Sequence, residues 1–72
     1  MNAARHSKRP RPGISARERE VLELLSQGLS NKEIGDRLDV SQFTIKNHLA
    51  RIFPKLRVRS RTAAVMAYLH HA

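Results

Sequence analysis

From Gly13 onward the apolar residues recur at the three- and four-residue spacing of helices, and the pattern restarts three times, each time behind a serine. Ser15 stands three residues before Glu18, the arrangement of a capping box: the hydroxyl accepts from the Glu18 amide and the carboxylate accepts from the serine amide. Val21, Leu22, Leu24 and Leu25 then share a face, and Gly28 offers a left-handed exit. Ser30 and Glu33 repeat the box, with Leu29 and Ile34 placed as a hydrophobic staple and Leu38 extending that face, which predicts a short helix over 31–38. Asp39 and Val40 make the turn. Ser41 caps a third helix over about 42–56, with Val40 and Ile45 as its staple. Around this helix Ile45, Leu49, Ile52, Phe53 and Leu56 gather on one side, and Phe43, Lys46, Asn47, Ala50 and Arg51 on the other. Ser60 caps a last helix through Ala63, Ala64, Val65, Met66, Tyr68 and Leu69. No stretch alternates with period two for long enough to make a strand, so the predicted fold class is all-α with four helices.

Residues 1–13 stand apart from this pattern. They hold no large apolar residue beyond Met1, and Pro10, Pro12 and Gly13 interrupt any regular structure. We read them as a flexible basic arm or linker, and residues 14–72 as one domain. The arm is read either as touching DNA or as a remnant without function.

Charge sharpens the division. The 72 residues carry 14 Lys and Arg against six Asp and Glu, a net charge of +8, which suits a polyanionic partner. Residues 1–13 contribute +4, residues 14–40 contribute −2 and residues 41–72 contribute +6, so every acid precedes Val40. A chain of this length leaves no room for a cleft between lobes, which argues against a conventional enzyme and against a small-molecule site. The longest apolar run, Ala63 to Ala67, is five residues. A membrane span needs about eighteen. With no such run and no signal peptide, the expected address is the cytoplasm. There is no cysteine, hence no disulfide and no thiolate ligand, and neither a metal nor another cofactor is expected.

The second and third helices are separated by about three residues, each with its own cap, and that spacing makes them cross steeply as a helix-turn-helix. The second helix of such a pair can enter the major groove while the first crosses the backbone. Lys46, Asn47, Ala50 and Arg51 point outward together as candidate base contacts: Lys can donate to guanine or to a phosphate, Asn can pair with adenine, and small Ala50 permits close approach. Ser41 and Thr44, at the helix N-terminus, suit a phosphate oxygen. Lys55, Arg57, Arg59 and Arg61 continue the positive surface and are read as positioning the DNA backbone rather than reading bases.

These residues also carry a family resemblance. The linked pieces REREVLELL, GLSNKEI, TIKNH, KL and RSRTAAV, between Ile14 and about Leu69, closely resemble the LuxR-type DNA-binding domain (also called FixJ/NarL or GerE-like) of bacterial transcription regulators. The resemblance implies a four-helix domain whose third helix reads the major groove and whose fourth pairs two copies on an inverted repeat. It also implies transcriptional control under a receiver or sensor domain, with RNA polymerase as a further partner. Lys46 and Asn47 are similar to the family's principal contacts, whereas Ala50 falls where many members place another contacting side chain, shifting readout toward Arg51. Three residues depart from the pattern. Pro54 lies inside the third helix and is expected to kink its last turn. Arg57 stands where glycine commonly follows KL, and Gly35 stands where alanine is usual, weakening the second helix by roughly 1 kcal/mol.

The remaining residues of interest have plainer readings. His48 is read as a partly exposed helical histidine flanking the polar face, and His70 and His71 as a frayed end without metal-ligand geometry. Glu20 and Glu23 form a solvated face. Phe43 either meets a sugar or a thymine methyl or packs against the preceding turn. In the last helix Val65 and Leu69 are assigned to the core, and Ala64, Ala67 and His71 to the surface where a partner helix approaches. Two functional alternatives keep the fold or the charge: a freestanding domain that pairs with full-length regulators and blocks them, and a basic RNA-binding protein.

Overall fold

The computed structural model describes residues 13–71, the side chain of His71 aside. The expected arm therefore lies almost wholly outside the described residues. Those residues form four helices and no strand: α1 over Ala16–Ser26, α2 over Asn31–Leu38, α3 over Gln42–Leu56 and α4 over Arg61–His71. Each begins behind the serine that the sequence places there. Ser15 Oγ accepts from the Glu18 amide at 3.1 Å while Glu18 Oε1 accepts from the Ser15 amide at 3.0 Å. The box of α2 is equivalent, at 3.1 and 2.8 Å between Ser30 and Glu33. Ser41 Oγ accepts from the Thr44 amide at 3.1 Å, and Ser60 Oγ from the Ala63 amide at 3.0 Å. Such caps satisfy amides that a helix start otherwise leaves without partners.

The first three helices also end alike. After α1 the amides of Gly28 and Leu29 return to the carbonyls of Leu25 and Leu24, with Gly28 at φ +92. After α3 the amides of Arg57 and Val58 return to Pro54 and Phe53, with Arg57 at φ +59. Both are Schellman exits, which turn the chain through one left-handed residue. After α2 the amides of Asp39 and Val40 both return to Gly35, with Asp39 at φ +63. Glycine fills the left-handed position only in the first exit, aspartate and arginine in the others. α3 runs through Pro54 as one helix to Leu56, the bound expected from the sequence. The proline nitrogen cannot bond the Ala50 carbonyl, but Ala50 lies on the solvent side, where water can serve.

α1 and α3 form the hub, each packing on the other three helices, while α2 and α4 meet only at their starts, through side chains. Ile14, Val21, Leu22, Leu25, Ile34, Ile45, Leu49, Ile52, Leu56 and Ala64 form the buried core. Two expectations are corrected here. Ala64, expected at a partner surface, is 0% exposed, because its small side chain faces the core and lets α4 come close to the hub. Ala67 and Tyr68 pack half-buried beside the core, while Leu69, expected inside, is exposed together with Met66. The partition of α4 is thus rotated from the one drawn from spacing.

Gly35 is buried, and its role is closeness of approach. A Cβ there would stand 2.6 Å from the Val40 carbonyl oxygen and 3.2 Å from the Ser41 carbonyl carbon. The turn between α2 and α3 closes onto the flank of α2 at this point, so the residue that weakens the helix also admits the turn.

Candidate nucleic-acid interface

The orientation of α3 follows from its apolar residues. Ile45, Leu49, Ile52 and Leu56 recur at helical spacing and are all buried, which fixes the rotation of the helix about its own axis. The opposite face is thereby presented to solvent. Phe43, Lys46, Asn47, Ala50 and Arg51 are all exposed, so the structure brings the four expected base-contacting residues together on one ridge, with Phe43 at its start. Among the described residues neither Lys46 nor Arg51 makes an ion pair, and α3 carries no carboxylate at all. His48 lies half-buried at the flank of this ridge.

At the N-terminal end of the ridge, the hydroxyls of Ser41 and Thr44 lie 3.1 Å apart. One hydroxyl proton is used between them, and the other remains free to donate to an oxygen outside the protein. The free amides of the first turn point the same way, so this end of α3 favours an anion.

The other cations divide into two sets. Arg57 and Arg59 are exposed and unpaired among the described residues. Lys55 and Arg61, expected on the DNA backbone, have partners within the fold. Lys55 Nζ donates to both carboxylate oxygens of Glu18, at 2.9 and 3.1 Å. The Arg61 guanidinium donates to the Leu29 carbonyl at 2.7 Å and to Asn31 Oδ1 at 2.8 Å, tying the start of α4 to the entry of α2.

Glu18 is the residue whose full role sequence spacing did not reveal. Its side chain is 5% exposed, and it serves at once as the return partner of the α1 cap and as counter-ion to Lys55. Burial pushes its carboxyl upward, but the Ser15 amide and the Lys55 ammonium outweigh burial and hold it below the ordinary 4.5. The capping pattern identified its local role. The partner 37 residues away is visible only once α1 and α3 are packed.

The basic ridge lies on the second helix of a helix-turn-helix held by the other helices, and residues 12–68 match the family of bacterial regulatory proteins, luxR family. The chain belongs to the luxR family. This is a family of transcription regulators rather than of enzymes. Among its luxR relatives is the nitrate/nitrite response regulator protein NarP of Escherichia coli, 46% identical over 56 residues, covering 78% of this chain and 26% of NarP. The DNA-binding transcriptional activator DevR/DosR of Mycobacterium tuberculosis is 38% identical over 66 residues, covering 92% of this chain and 30% of the activator. The crystal structure of response regulator ChrA, from a heme-sensing two-component system, superposes with a TM-score of 0.77 at 43% identity, covering 94% of this chain and 34% of ChrA. The luxR chain described here thus spans about a quarter to a third of the length of these relatives. Among the described residues no helix is long and apolar enough to cross a membrane.

Proposed function

We propose that the chain binds double-stranded DNA sequence-specifically, with α3 in the major groove, and that two copies pair through α4 on an inverted repeat to regulate transcription. The observation that carries this reading is the outward ridge of α3, exposed, free of carboxylates and bearing two unpaired cations. A single helix fits the width of the major groove, and a carboxylate on this ridge would be repelled by phosphate. Asn47 pairs with an adenine edge, Lys46 with guanine or phosphate, and Arg51 extends the readout past Ala50. Ser41, Thr44, Arg57 and Arg59 hold the backbone. Lys55 and Arg61 drop out of the contact set, since their charges are engaged within the fold.

Met66 and Leu69, at 49% and 56% exposure, give α4 an apolar strip that a second copy would cover, with Ala67 at its edge. A receiver or sensor domain supplies the input, and RNA polymerase is a further partner of the assembled regulator. Selection from a random duplex pool at defined salt tests the reading: it should enrich an inverted repeat, and Asn47→Ala should relax preference at one base pair per half-site. An unenriched pool, or tighter binding to RNA than to any duplex, would overturn it.

A further inference from the structure

Phe43 is 72% exposed, the most exposed of the large apolar residues among those described. An aromatic ring left in water does nothing for the core, and what gives this one meaning is the company it keeps on the helix surface. At that exposure any packing of the ring against the preceding turn buries little of it. At roughly 100° per residue, Phe43, Lys46, Asn47, Ala50 and Arg51 fall within an arc of about 140°, so the ring shares the ridge with the candidate base-contacting residues. Lys46 and Asn47 lie one turn beyond it, and Ser41 and Thr44 flank it on the anion-favouring end of α3.

Resting on the DNA-binding reading above, we propose that Phe43 is a specificity-determining residue that contacts the C5-methyl group of a thymine. In the major groove the only apolar group on a base edge is that methyl, and an aromatic ring can recognise it by burying it. The polar centre of the ridge would read hydrogen-bonding edges while its N-terminal end reads a methyl. The occupant is a duplex base edge rather than a protein because the ring is continuous with a positively charged, carboxylate-free ridge.

The test is a scan of the selected duplex in which each thymine in turn is replaced by deoxyuridine, which removes the methyl and leaves every hydrogen-bonding group. The wild-type chain should lose roughly fourfold in affinity at one thymine per half-site, the worth of one buried methyl. Phe43→Ala should bind the thymine and uracil duplexes equally, Phe43→Leu should keep part of the difference, and all three proteins should melt together because the ring is exposed. A flat scan for the wild-type chain, or a uracil penalty that persists in Phe43→Ala, would overturn the assignment while leaving DNA binding intact. Failure of the wild-type chain to bind any duplex would overturn the function itself, and this inference with it.

Discussion

The two halves of α3 carry similar charge and do different things. In residues 42–51 the cations Lys46 and Arg51 are exposed and unpaired among the described residues, and the helix starts on a regular serine cap. In residues 52–57 the proline lacks an amide, Lys55 is held by Glu18 of α1, and the helix exits through an arginine in the left-handed region. A count of basic residues ranks the halves together. Their partners separate Lys55 from Lys46, Arg51 and Arg57: a cation with a counter-ion inside the fold is an anchor, and one without is available to a phosphate or a base. Under the proposed function α3 is therefore a reading half carried on an anchoring half, with Glu18 as the fixed point.

Removing that fixed point should have the largest effect. Glu18→Gln keeps the shape but takes away the counter-ion and weakens the return bond of the α1 cap. The loss should be about 2 kcal/mol in denaturant unfolding, since bonds to charged groups are worth about 1.5 to 3 and Lys55 can still reach water. The same carboxyl sets a pH dependence. Its proton is held less tightly in the folded chain than in the unfolded one, so the unfolded state binds more protons as the pH falls. Its contribution is fully present above about pH 4.5 and is lost as the pH drops through the lowered folded value. Wild-type stability should therefore fall more steeply below that point than the stability of Glu18→Gln. Parallel curves would remove Glu18 from the role of anchor. Glu33, also lowered, chiefly by the Ser30 amide, accounts for a residual slope in both.

The comparison is tested next by Lys46→Ala and Lys55→Ala side by side. If Lys46 meets a base, its loss should cost about 1 to 3 kcal/mol of discrimination. If it meets a phosphate, the slope of log affinity against log salt should shrink by about one contact. In either case stability should stay within about 0.5 kcal/mol, as for an ordinary surface site. Lys55→Ala should do the reverse, lowering stability while leaving the salt slope in place. Equal loss of slope in both variants would erase the distinction between the halves.

How much of this was legible in the sequence depends on how far apart the interacting residues lie. The helix bounds were legible because each cap is written within four residues: Ser15 with Glu18, Ser30 with Glu33, Ser41 with Thr44. The outward ridge of α3 was legible because Ile45, Leu49, Ile52 and Leu56 define its opposite. The Glu18–Lys55 pair was not, because its partners are brought together only by the packing of α1 on α3. The rotation of α4 was misjudged for a different reason. Ala63, Ala64, Val65, Met66 and Ala67 are apolar all round, so periodicity offers no contrast, and the choice of Ala64 as the buried position is made by how closely α1 approaches.

Gly35 belongs with the features that only packing reveals, and it bears on the reading half because the turn it admits leads directly into the Ser41 cap. Gly35→Ala gains about 1 kcal/mol of helix propensity but sets a methyl 2.6 Å from a backbone oxygen, and overpacking of that kind costs about 1 to 3. The net expectation is a loss of about 1 kcal/mol in thermal or chemical unfolding, with weaker DNA binding as the turn shifts. A gain in stability would mean that the turn can move aside freely and does not hold the reading half.

The smallest effect concerns the far end of the anchoring half. At φ +59 Arg57 occupies a conformation that costs an ordinary residue about 1 to 2 kcal/mol. Glycine would relieve most of that but adds freedom to the unfolded chain, so Arg57→Gly should gain only about 0.5 kcal/mol. Arg57→Asn, which tolerates the left-handed region and also lacks the charge, separates the two properties of the residue. If Arg57 only positions the DNA backbone, both variants should reduce the salt slope alike while base preference stays the same and stability rises only with the easing of the turn. A changed base preference in Arg57→Gly but not in Arg57→Asn would show that the exit conformation aims the helix, and the anchoring half would then take part in reading after all.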